Sequence, residues 1–275
     1  MHPLIDRMRD ELEVAGSVGT EDRPKLHIDG KRVDPNGAGR LTGVAAKLCS
    51  VNAKTFEPIA ARLDVERLTI VEMRGGALDA LNCARLTHLN ITWATKLADI
   101  SALAQFPGLE YLELTDTPKV HDLSPVSRLT NLRALVFQGG IWNRNRALSL
   151  EPIAKLPALE VLALLNLAVD EGGLRPLAKL DHLNALFLSN QFETADYAYL
   201  SVHLTKTECG QLAPYETLAS EIGGNTVMVT GKRKPFLNLR VEKDRVRLEK
   251  YEVAFRALQA GFQAEIDLGS AEDRD

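Results

Sequence analysis

Residues 122–137 read DLSPVSRLTNLRALVF, and residues 149–164 read SLEPIAKLPALEVLAL. Laid over each other they share one skeleton: leucine, proline two places on, an aliphatic residue, then leucines spaced 3, 3 and 3 with a last apolar residue two further on. The apolar-x-x-apolar-x-apolar ending recurs six times, as Val65-Leu68-Ile70, Leu86-Leu89-Ile91, Leu109-Leu112-Leu114, Leu132-Leu135-Phe137, Leu159-Leu162-Leu164 and Leu183-Leu186-Leu188. The proline-bearing start recurs as Phe56-Glu57-Pro58-Ile59, Leu123-Ser124-Pro125-Val126, Leu150-Glu151-Pro152-Ile153 and Leu174-Arg175-Pro176-Leu177, with Ile100-Ser101-Ala102-Leu103 as a copy lacking proline. Alternation in the ending puts its last two apolar residues on one face of a short strand. Proline at the start suits the first turn of a helical return, where its missing N–H would have had no partner. One such unit cannot bury its own apolar face, so the units must stack.

These motifs resemble the leucine-rich-repeat superfamily, and its short-repeat bacterial internalin and phosphatase-regulator-like subclass in particular, from about Phe56 to Gln191. The resemblance implies an α/β solenoid, a curved parallel sheet with short helical returns, used for recognition and not tied to any one activity. One departure stands out. The family usually carries Asn three residues after the last strand leucine, whereas this chain has Met73, Ala94, Thr117, Gly140, Leu167 and Gln191 there. The turns must be satisfied in another way.

The remaining residues divide into two ends. Residues 1–55 are expected to form an N-terminal cap, with Leu4, Ile5, Met8 and Leu12 at helical spacing, a strand at Lys25 to Ile28 and a turn at Asp34-Pro35-Asn36-Gly37. The solenoid takes residues 56–191. Residues 192–275 are expected to form a C-terminal capping segment: a helix around Tyr197 to Leu204, a strand at Thr226 to Thr230, and a long helix whose Leu248, Tyr251, Phe255, Leu258 and Phe262 make one apolar stripe over the last repeat. Ser270 to Asp275 read as a polar tail.

Composition excludes several classes. With 33 Lys+Arg, 37 Asp+Glu and 45% hydrophobic residues, the make-up is that of an ordinary soluble protein. No apolar run approaches the ~20 residues that span a bilayer. The opening MHPLIDRMRDELEVAG is charged where a secretory signal needs an apolar core. A cytoplasmic location and no membrane partner are expected. Cys49, Cys83 and Cys209 are odd in number and lack a CxxC pair, which suggests neither a disulfide framework nor a zinc site. The six histidines lack metal-ligand spacing and no catalytic fingerprint is present, so no catalytic residue, metal or cofactor is expected.

Recognition is therefore sought on the surface. Of the eighteen strand residues flanking the repeat leucines on the concave side, only Arg67 and Glu113 are always charged, which is too few for a solvated face. The early repeats offer Tyr111 and Glu113, and the later ones Val136, Gln138, Val161, Leu165 and Phe187, with Tyr111 and Phe187 as expected anchors for a partner protein. The gap from the last strand residue to the next return is 13 residues after Phe137 against 8 to 10 elsewhere. That extra chain holds Gly139 and Gly140, read as positions of positive φ, then Trp142, Arg144 and Arg146, and Trp93 lies at the matching edge two repeats earlier. A second reading rests on Gly231 to Lys250, with eight basic and three acidic residues. There Lys232, Arg233 and Lys234 would meet nucleic acid or phosphate, although the spaced glycines of a phosphate loop are missing.

Overall fold

In each repeat the leucines point to one side of a short strand and their neighbours to the other, and it is this alternation that builds the molecule. A computed structural model describes residues 3–6, 25–32, 34, 37–75 and 77–272. Its main sheet is parallel throughout and holds, in spatial order, Lys25–Asp29, Ala45–Cys49, Arg67–Val71, His88–Thr92, Tyr111–Thr115, Ala134–Gln138, Val161–Leu165 and Ala185–Leu188. Register is kept across all six repeats: Leu68, Leu89, Leu112, Leu135, Leu162 and Leu186 are successive partners, as are Ile70, Ile91, Leu114, Phe137, Leu164 and Leu188. All twelve are buried. The strand expected at Lys25 to Ile28 forms the outer edge. Ala45–Cys49 joins it to the repeats, an extra strand that the spacing does not reveal because alanine replaces leucine at Ala46.

The returns are 3₁₀ turns at Leu78–Ala80, Ser101–Gln105, Ser124–Arg128, Ile153–Lys155 and Arg175–Lys179. Pro125 and Pro176 sit in the first turn as expected, and Pro152 is the residue just before one. Pro58 does not follow this pattern. It lies inside the α-helix Ala53–Ala60, whose start is fixed by Asn52 and Thr55 in a capping box. The core fills the space between sheet and returns.

Five of the eight strands are left through one residue in the left-handed region: Ser50, Glu72, Trp93, Asp116 and Asn166 have φ between 46° and 61°. The backbone N–H groups of Ser50, Glu72, Trp93, Asp116 and Gly139 then donate to Val71, Thr92, Thr115, Gln138 and Leu165 carbonyls at 2.9 to 3.0 Å. This ladder carries the sheet one residue past its strands.

Beyond the last repeat come the helix Thr194–His203, a three-stranded antiparallel sheet of Tyr215–Ile222, Asn225–Val229 and Phe236–Leu237, and the helix Glu242–Glu272. The expected stripe is used along its whole length. Leu248 and Tyr251 pack on Val227, Val229 and Leu237, and Phe255, Leu258 and Phe262 pack on the solenoid core. Arg175 of the last return lies 4.7 Å from the Tyr199 ring centroid and 5.6 Å from that of Phe262, so the terminal helix caps the solenoid. Among the described residues, no helix is long and apolar enough to cross a membrane. Met8, Leu12, Pro35, Asn36 and residues 273–275 lie outside the described residues.

Candidate functional site

The concave wall is built from the residues between the repeat leucines, and its two halves differ in chemistry. Glu113 is the hub of the polar half, only 4% exposed. Tyr111 Oη and Asn90 Nδ2 donate to its Oε2 (the latter at 3.1 Å), and Thr115 Oγ1 donates to Oε1 at 2.9 Å. Gln138 Nε2 donates to Thr115 Oγ1 at 2.9 Å, and Thr92 Oγ1 to Asn90 Oδ1 at 2.9 Å. His88 stacks on Tyr111 with centroids 6.0 Å apart. Hydrogen bonds to a carboxylate are roughly twice as strong as neutral ones, so Glu113 ties its own strand to His88–Thr92, and Thr115 extends the network to Gln138 on the next. It is not a charge held out to a partner.

The apolar half is closed by the chain's own N-terminal segment. Residues 3–6 are helical, and their Leu4 and Ile5 are buried in one cluster with Tyr111, Ala134, Val136, Val161, Ala163 and Ala185. Phe187 packs against the rim of this cluster and is partly buried. The expectation that Tyr111, Val136 and Val161 stand open for a partner is therefore corrected: each is 0% exposed although it lies on the outer side of the sheet. Scarcity of charge on this wall has an internal cause, because half of it is interior. Gln138 and Leu165, in the outermost row, are half-buried. Burying two aliphatic side chains contributes about 1.5–3 kcal/mol each, and ordering the backbone of a short segment costs roughly 1–2 kcal/mol per residue. For the four residues 3–6 these terms nearly cancel.

The loop of the fourth repeat is the reverse case. Ile141 and Trp142 are each 91% exposed, on a base that is tightly held. Neither Gly139 nor Gly140 has a positive φ; the glycines are there for space. A Cβ on Gly139 would sit 2.6 Å from the carbonyl oxygens of Asn143 and Asn166, and one on Gly140 2.4 Å from Asp116 Cγ. Asn143 Nδ2 donates to Asp116 Oδ1 at 3.0 Å, and Asn166 Nδ2 to the Gly140 carbonyl at 2.9 Å. Asn145, buried, accepts from Thr117 N–H at 3.1 Å and donates to the Gln138 carbonyl at 2.9 Å. It pairs in register with Leu167. The inner-turn asparagine missing from residue counting is thus present in this repeat, displaced from position 140 to 145 by the looped-out residues. Arg144 donates to the Leu167 carbonyl at 2.6 Å and Arg146 pairs with Asp170 at 2.7 Å, so both arginines tie the loop to the next repeat. Trp93 is 56% exposed.

Four of the eight basic side chains of this stretch pair with carboxylates. Lys232 lies 3.8 Å from Glu193, Arg240 2.6 Å from Glu221 and Arg247 3.0 Å from Asp244, while Arg245 pairs with Glu242. Lys234 sits 5.4 Å from the Tyr251 ring centroid, and Arg233 occupies a turn with φ 60°. The backbone N–H of Asn238 and then Arg247 hold the Asp244 carboxyl below its ordinary range. Gly231, beside them, is there for close approach: a Cβ would sit 2.1 Å from Thr194 Oγ1.

Reactive groups are muted. Burial pushes the Cys209 thiol up to about 11 and raises that of Cys83, which removes the thiolate needed for nucleophilic chemistry at neutral pH. Among the described residues, no three His, Cys, Asp or Glu side chains converge as a metal site. The exposure of Ile141 beside Trp142 and the docking of Leu4 and Ile5 were not read from the sequence. The signal for the second was there, an adjacent aliphatic pair at the head of the Leu4, Ile5, Met8 and Leu12 spacing.

One register-matched parallel ladder with a short return in every repeat gives this chain the fold of a leucine-rich-repeat solenoid. Among solved structures it is similar to internalin C2 of Listeria monocytogenes, at 25% identity over 55% of this chain and 63% of that chain, with a TM-score of 0.43. It is also similar to an internalin, inlF, of the same organism, at 19% identity over 59% of this chain and 64% of that one, with a TM-score of 0.34. The chain spans less than two thirds of the length of these structures. No family model and no curated protein matches it.

Proposed function

We propose that the chain is a non-enzymatic protein-binding module that meets its partner through the rim loop of the fourth repeat. The observation that carries this reading is the pair Ile141 and Trp142, each 91% exposed on a loop whose base is fixed by buried and backbone hydrogen bonds. A large aromatic held out on a rigid base loses little entropy on docking and is the commonest kind of interface anchor. Trp93 supports the same rim. It is held at φ 58°, where a bulky L-residue is strained by about 1–2 kcal/mol, although Asp116 and Asn166 fill the equivalent turns at 52° and 46°. A strained and exposed tryptophan points to use. The muted thiols favour binding over catalysis. Three free cysteines fit a reducing, cytoplasmic setting.

The test is affinity capture from the native host with wild type and with Trp142→Ala and Ile141→Asp. Recovery of the specific partner is expected to fall by roughly ten-fold or more, in line with a hot spot of about 2 kcal/mol. Thermal stability should move by no more than about 0.5 kcal/mol, as for other exposed sites. Equal recovery by all three well-folded proteins would discard the rim as the binding surface.

A further inference from the structure

The apolar half of the concave wall is a second surface, separate from the rim just described, and its occupant is on the page. Val136, Val161, Ala134 and Ala163 give it a floor of small and β-branched side chains, low enough for a helical turn to lie on. Leu4 and Ile5 lie there, while Pro3 and Asp6 on either side are exposed. The segment makes no strand pairing with the sheet, and the sheet separates this cluster from the main core. The apolar surface also runs past this cluster to Leu165, which is only partly buried and lies outside it.

We propose that this wall is a recognition surface for a partner segment presenting two adjacent bulky aliphatic residues on a helical turn, and that Leu4 and Ile5 close it in cis. An open apolar wall of this kind would be an aggregation hazard on a soluble protein, which gives the closing segment its role. A partner that adds contacts to Leu165 displaces it by mass action. The closed fraction then sets how much affinity the wild type forfeits.

The test uses full-length protein and a fluorescent peptide of residues 1–12, MHPLIDRMRDEL, followed by anisotropy. Leu4→Asp/Ile5→Asp and the milder Leu4→Ala/Ile5→Ala unseat the segment without touching the solenoid. Both are expected to bind the peptide roughly ten-fold or more tightly than wild type. Adding Ala163→Glu to either should abolish that binding, as should placing the two Asp changes in the peptide. The proposal is overturned if both unseated variants bind no better than wild type, or if binding survives Ala163→Glu. Light scattering over a range of concentrations should show a wild-type monomer. A wild-type dimer that dissolves in the unseated variants would assign the segment to a second copy and overturn closure in cis. None of these readouts involves Trp142, so the rim can fail while the wall stands, and the reverse.

Discussion

Asn145 shows what a single side chain does in a repeat that has been interrupted. The looped-out residues break the return after Phe137, and the chain re-enters the solenoid at a buried position where the Thr117 N–H and the Gln138 carbonyl both face inward. One amide side chain answers both, with Oδ1 at 3.1 Å and Nδ2 at 2.9 Å, and its Nδ2 also reaches Thr117 Oγ1 at 3.2 Å. Asn145→Ala removes donor and acceptor together and leaves a buried N–H without a partner, at a cost of about 1–3 kcal/mol. The expected outcome in urea is a lower midpoint with an unchanged slope. Asn145→Asp keeps the acceptor but turns a carboxylate toward the Gln138 carbonyl, so it should be no better tolerated than alanine. An unchanged midpoint in both variants would show that the loop is not anchored here.

At the scale of elements, the terminal helix shows why some parts of this fold are legible in sequence and others are not. Its stripe follows directly from helical period, and Phe255, at the centre of the stripe, is 1% exposed against the solenoid core. Phe255→Ala is expected to cost about 3–5 kcal/mol. Val253→Ala, on the face that is 66% exposed, should stay within about 0.5 kcal/mol. Chemical denaturation of the two variants separates a cap from a loosely attached helix, because equal and small effects would mean that the helix does not close the core. The six repeat strands are legible for the same reason, since leucines in register repeat one physical demand many times. Contacts made once leave no period. Ala45–Cys49 joins the sheet with alanine where the repeats carry leucine, and Leu4 and Ile5 dock through two side chains. A face poor in charge is the same in sequence whether a partner or the chain itself covers it, and here the chain covers half. Counting along the chain also fails across an insertion, which is how Gly140 came to stand in for Asn145.

The whole molecule is a one-dimensional stack in which every inner strand pairs only with its sequence neighbours, and its stability should be distributed accordingly. The two ends are not alike. Among the described residues, Lys25–Asp29 has a single pairing partner, Ala45–Cys49. At the far end the Leu186 N–H donates to the Glu208 carbonyl at 2.9 Å. There Tyr197 ties helix to strand by donating to the Ser189 carbonyl at 2.7 Å while accepting from Gln191 and Phe192 N–H groups. Local opening should therefore begin at the N-terminal edge and stop at the C-terminal cap. Hydrogen exchange followed residue by residue is expected to be slowest in Tyr111–Thr115 and Ala134–Gln138, intermediate in Ala185–Leu188 and fastest in Lys25–Asp29. Because Leu4 and Ile5 sit on the side of the sheet away from the main core, Leu4→Asp/Ile5→Asp should leave this order intact. It should raise exchange only in residues 4–6 and the strand amides directly beneath them. Uniform exchange through all eight strands at one rate would mean that the stack opens as a single unit, and coupling through neighbours would then not describe it.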